Sequence, residues 1–99
     1  MSPFRLVFRL ADAAESRELR NLPNDGWAKA YAVQDLRLRL SIAGVVEGSV
    51  SVGQVADPDR PDIVEWMGTW RLAGQGEAAW IPYERGRAGR PGQSQWRAA

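Results

Sequence analysis

Asp57, Asp59 and Asp62 fall within six residues, interleaved with Pro58, Arg60 and Pro61. Carboxylates at this spacing can converge on a hard cation such as calcium. The pattern departs from a calcium loop, because no glycine stands at the sixth position and no glutamate at the twelfth. The two prolines also stiffen the backbone where it would have to wrap an ion. The stretch from Ala56 to Asp62 therefore reads as an exposed, solvated polar loop, and no metal is expected. Glu47, Glu65, Glu77 and Glu84 have the chemistry of a glycosidase acid and base, but so short a chain has little with which to build a cleft around them. The chain has no histidine and no cysteine. It thus lacks the usual general base near neutral pH, the commonest metal ligands and a thiol nucleophile. Ser41, Ser49 and Ser51 have no base beside them, and Gly44, Gly48 and Gly53 lack the spacing of a phosphate-binding loop. No cofactor is implied, and the protein is expected not to be an enzyme.

What remains is the chemistry of contact. Arg85, Arg87, Arg90 and Arg97 lie in a segment rich in glycine, proline, glutamine and serine, together with Trp96. Flexible basic segments of this kind dock on acidic protein surfaces, or bind nucleic acid through phosphate contacts and base stacking. Arg37 and Arg39 form a second basic stripe, and Arg5 and Arg9 extend it into a basic sheet face if the first strand pairs beside theirs. The plainer alternative is that these arginines are the wet side of a half-exposed sheet. Of the thirteen Lys and Arg residues only Lys29 is lysine. Arginine suits bidentate contact with carboxylate or phosphate, although a GC-rich coding sequence produces the same bias. Five tryptophans is a high count for 99 residues, and tryptophan is enriched at interface hot spots. Trp27, Trp66 and Trp70 are expected in or near the core and Trp80 over a sheet edge, while Trp96 has no apolar neighbours and is either idle or an anchor that inserts into a partner or back onto its own domain.

These side chains need a frame. A 99-residue chain that is 44% hydrophobic and 25% charged supports one folded domain with one core. Residues 1–84 carry nine cationic against twelve acidic groups, a balance of −3, and residues 85–99 carry four arginines and no acid, +4. We therefore expect a mildly acidic globular domain over 1–84 and a flexible, disordered basic tail over 85–99. Arg5 and Arg9 interrupt the apolar pattern of the first ten residues, so these are neither a signal-peptide core nor a membrane span. The protein is expected in the cytoplasm.

The most pronounced pattern runs from Leu36 to Val55. Leu36, Leu38, Leu40 and Ile42 alternate with polar residues, as do Val46, Val50 and Val52, which predicts a β-hairpin reversing at Ala43-Gly44. Phe4, Leu6, Phe8 and Leu10 alternate likewise and predict a first strand. Asp12 and Glu15 stand in capping-box positions, predicting a short helix over about Ala13–Arg20 that ends before Pro23. Trp27–Val33 fits a strand, with Trp27, Tyr31 and Val33 on one side, or one helical turn, with Trp27, Ala30 and Tyr31 together, and is assigned as a strand. Ile63–Leu72 has both strand and helix character and is assigned as a strand on its β-branched and aromatic content, with Val64, Trp66, Trp70 and Leu72 on one face. Glu77–Tyr83 reads as a last short strand bounded by Pro82.

Together these features predict an α+β fold, a small antiparallel β-sheet or partly open barrel of about five strands with one short helix. The function expected is that of a non-catalytic protein-interaction module, an adaptor, small inhibitor or minor subunit of an assembly. It would bind a protein partner through a sheet edge, an exposed tryptophan and the basic tail. Nucleic-acid association is the first alternative and a small carboxylate enzyme or ligand-binding barrel the second. No membrane partner is implied, and the oligomeric state is left open.

Overall fold

Phe4, Leu6 and Phe8 alternate with Arg5, Val7 and Arg9 along the first strand, β1 (Ser2–Leu10), of the computed structural model, which describes residues 1–11, 13–73 and 76–83. The chain continues through β2 (Ser16–Leu22), a helix α1 (Asp25–Ala43), β3 (Glu47–Val55), β4 (Val64–Ala73) and β5 (Ala79–Pro82). The five strands make one open antiparallel sheet in the order β2-β1-β3-β4-β5. The fold is α+β, as expected, and the sheet keeps two free ends rather than closing into a barrel. No described helix is long and apolar enough to cross a membrane.

The helix lies where strands were expected. Leu36–Ile42 and Trp27–Val33 both belong to α1. Ala28, Ala32, Leu36 and Leu40 recur every fourth residue and are buried, which is one face of a helix. Leu38 and Ile42 form a second row on the outside of the same helix, 57% and 78% exposed. Two helical rows two residues apart produce a period of two in the sequence, and that coincidence imitated a strand. Both ends of α1 are capped. Asn24 accepts a hydrogen bond from the Trp27 backbone N–H at 2.9 Å, and Gly44, at φ 72°, donates its N–H to Leu40 and Ser41. The Ala43-Gly44 reversal is thus a helix C-terminus and not a hairpin turn.

The short helix expected over Ala13–Arg20 is instead mostly strand, since Ser16–Leu22 pairs with β1 through seven residues, Ser2↔Leu22 to Phe8↔Ser16. Pairing with a long apolar strand overrode the helical preference of Glu, Leu and Arg. The assignments of β4, β5 and the loop before β4 agree with the sequence. In that loop the Asp57 carboxylate accepts the Asp59 N–H at 3.0 Å, and Arg60 donates its N–H to the Asp57 carbonyl at 2.9 Å. Asp57 therefore builds a turn, and among the described residues no group of three or more acidic side chains is placed to hold a metal.

The core lies between α1 and one face of the sheet. Phe4, Leu6, Phe8, Val50, Val52 and Leu72 meet Ala28, Ala32, Leu36 and Leu40. Burial of each large apolar side chain stabilises the fold by about 1.5–3 kcal/mol. Gly48 permits the close seating of the helix, because a Cβ there would stand 2.9 Å from the Leu40 side chain and 3.1 Å from the Arg9 carbonyl.

Candidate interaction surface

Residues directly opposite in an antiparallel ladder share a face, so the strand registers sort every side chain of the sheet. The row Ser16–Phe8–Val50–Trp70–Trp80 lies toward the helix. The next row along, Arg17–Val7–Ser51–Thr69–Ile81, lies on the opposite face. The Ser51 and Thr69 hydroxyls hydrogen-bond at 2.9 Å, confirming that they stand side by side. On either side of this row run Leu19–Arg5–Gly53–Trp66 and Arg9–Ser49–Arg71–Ala79. Among the described residues no helix or second sheet covers this face.

The face that no described helix or sheet covers has an apolar and hydroxylic centre with arginines around it. Val7, Val55 and Thr69 are only 5%, 2% and 2% exposed. Trp66 lies against Gly53, where a Cβ would come within 2.9 Å of the indole. Arg5 donates to the Pro61 carbonyl at 3.2 Å, tying β1 to the loop before β4. Glu15 bridges Arg9 at 2.9 Å and Arg17 at 2.7 Å. Hydrogen bonds from Arg17 and then Arg9 hold its carboxyl below the usual range, so it is ionised at neutral pH. At the end of the face where β1 finishes, a cleft of about 580 Å³ is lined by Arg9, Glu47, Ser49, Arg71, Glu77 and Ala79. Its two arginines oppose two glutamates, so the cleft adds shape to the face without adding net charge.

The expected basic sheet face thus exists with a different membership. Arg5 and Arg9 belong to it. Arg17 and Arg71 complete it, Arg17 because its segment pairs as β2 where a helix is expected and Arg71 because the register of β4 sets it opposite Ser49. Arg37 and Arg39 do not belong to it, since both lie on α1. Two residues apart on a helix they point in nearly opposite directions, so they form no stripe. Arg37 is exposed. Arg39 is occupied within the fold: it stacks 3.9 Å over the Phe8 ring and donates to Ser16, Asp35 and Glu18. Arg85, Arg87, Arg90, Trp96 and Arg97 lie outside the described residues.

The tryptophans also divide differently from expectation. Met67 is an extra residue in β4, where the register to β3 shifts between Val52 and Gly53. Such a bulge reverses the alternation, so Val64 and Trp66 lie on the uncovered face while Trp70 and Leu72 lie on the helix face. Trp70 donates to the Lys29 carbonyl at 2.9 Å, and Trp80 packs 5.1 Å from Trp70 beneath the Lys29 ammonium. Trp27, expected near the core, is 61% exposed at the start of α1. No protein-family model, curated protein or solved structure matches the chain.

Proposed function

We propose that the protein is a non-catalytic interaction module, an adaptor, inhibitor or minor subunit, that binds an acidic protein partner on its uncovered sheet face. The observation that carries this proposal is the composition of that face, where Arg5, Arg9, Arg17 and Arg71 surround a row of Val7, Ser51, Thr69 and Ile81. Guanidinium groups standing around a row of small, largely buried side chains suit a protein surface that brings carboxylates. A nucleic-acid partner would favour a platform of stacking aromatics. Here Trp70 and Trp80 are turned to the helix face, leaving Trp66 as the single tryptophan of the described sheet on the open side. A cytoplasmic location is part of the same proposal and is tested by fractionation of source cells.

The deciding experiment compares wild-type protein with an Arg5→Glu/Arg17→Glu variant, both immobilised, in lysate of the source organism with and without nuclease. The expected result is a nuclease-resistant protein retained by the wild type and lost from the variant, with the two baits sharing one melting temperature. Equal retention by both would remove the face from the account. Retention that disappears with nuclease would transfer the face to nucleic acid.

A further inference from the structure

The two ends of the sheet are protected to different degrees. β5 is four residues long and ends at Pro82, which limits further pairing. β2 is seven residues long, contains no proline and pairs with β1 in unbroken register. Among the described residues no strand lies beside its other side. Edge strands are commonly blunted with charged side chains, and those of β2, SRELRNL, are of both signs, Arg17, Glu18 and Arg20.

We propose that β2 pairs antiparallel with β2 of a second copy about a twofold axis at Leu19, joining the two sheets into one. With the axis there, Glu18 stands directly opposite Arg20 of the second copy, and Arg20 opposite its Glu18. Arg17 then meets Asn21, Ser16 meets Leu22, and the two Leu19 side chains meet at the axis. The alternatives lose this match. An axis at Glu18 sets Glu18 against itself, Arg17 against Leu19 and Ser16 against Arg20, an axis between two residues is ruled out because opposed residues share a face, and a parallel in-register pair sets every charge against its like. Opposite charges directly across a ladder stabilise it and like charges destabilise it. A twofold interface must be self-complementary, and this heptapeptide is so in one register.

The side chains are placed for this. Arg20 already donates to Glu18 through Nε at 3.1 Å, with its guanidinium over the Tyr31 ring. The Glu18 carboxylate, which also receives Arg39, has acceptor sites for a further donor from across the axis. Leu19 is 49% exposed in the single chain and gains cover at the axis. Because Leu19, Arg17 and Arg5 belong to the uncovered face, pairing makes the two cationic faces continuous, with the Arg5 and Arg17 residues of both copies flanking the axis. The dimer is independent of the acidic partner proposed above, since it uses the edge of the sheet and not its face.

A chain without cysteine allows a direct test. In Leu19→Cys the two thiols would face each other, with Cβ atoms about 4.5–5.5 Å apart and within reach of a disulfide after small adjustment. In Asn21→Cys the corresponding atoms are four residues apart along the ladder, about 13 Å. Mild oxidation of the full chain is expected to cross-link Leu19→Cys about tenfold faster than Asn21→Cys. Sedimentation equilibrium of the wild type is expected to show a concentration-dependent dimer that Leu19→Lys abolishes without changing the circular dichroism spectrum. A wild type monomeric at the highest soluble concentration, equal cross-linking of the two cysteine variants, or a dimer that survives Leu19→Lys would each overturn the proposal.

Discussion

Glu18 and Arg39 join β2 to α1 above the Phe8 ring. Burial alone would raise the Glu18 carboxyl, but the hydrogen bonds and charges of Arg39 and Arg20 outweigh it, and the group is held below its ordinary range. A carboxyl with a lowered pKa in the folded state contributes stability that is present above its unfolded value and lost as the pH falls through the folded one. Both side chains of the pair remain about a quarter exposed, at 22% and 27%, so solvent screens part of the interaction. Glu18→Gln is therefore expected to cost about 1 kcal/mol at neutral pH. The gap to wild type should narrow as the pH falls through the lowered folded-state pKa of Glu18, where both chains come to carry a neutral side chain at this position. Urea denaturation at neutral pH and in acid measures it. A gap that persisted in acid would assign the cost to something other than the ion pair. Nothing in the one-dimensional pattern announces this contact, because Glu18 and Arg39 are 21 residues apart and the local pattern predicts a helix where β2 forms and a strand where α1 forms.

At the scale of the element, α1 is the instructive case. A strand through Leu36–Ile42 would put Leu36, Leu38, Leu40 and Ile42 on one face. The helix instead buries Leu36 and Leu40, at 0% and 5% exposed, and turns out Leu38 and Ile42. Substitution separates the two arrangements. Leu36→Ala is expected to cost about 2–5 kcal/mol through lost burial and a cavity, and Leu38→Ala less than about 0.5 kcal/mol. Chemical denaturation of the two variants checks this, and similar costs at both positions would contradict the helix. The helix had signals of its own in the sequence. Asn24 three residues before Trp27, the four-residue spacing of Ala28, Ala32, Leu36 and Leu40, and Gly44 at the end together describe a capped helix. They were obscured because α1 is apolar on its outer side as well as its inner one, which removes the contrast that periodicity depends on.

For the molecule as a whole, the helix-facing core is concentrated on β1, β3 and α1, while β2 and β5 are edges. Local opening follows the density of such contacts. Hydrogen exchange is therefore expected to be slowest in the segments Phe4–Phe8, Val50–Val52 and Ala32–Leu40 and fastest in β5, with β2 between them. Mass spectrometry of peptic fragments reads this order directly. Protection of β2 equal to that of β1, appearing only at high concentration, would be the additional mark of the paired edge.

The sequence by itself determined the class of fold, the identity of β1 and the strands from β3 onward, and the absence of histidine and cysteine chemistry. Each of these rests on local information, whether a sharp contrast between the two faces of a strand, a proline or glycine that ends an element, or the plain inventory of side chains. Tertiary structure decided the rest. It made SRELRNL a strand by offering it β1 as a partner, and it made LRLRLSI a helix because one of its two apolar rows had a sheet to cover. Through the bulge at Met67 it reversed the face on which Trp66 lies. The membership of the cationic surface followed from those three outcomes, since Arg17, Arg71, Arg5 and Arg9 come together only through a register set by contacts distant in the chain, and a shift of one residue exchanges the faces.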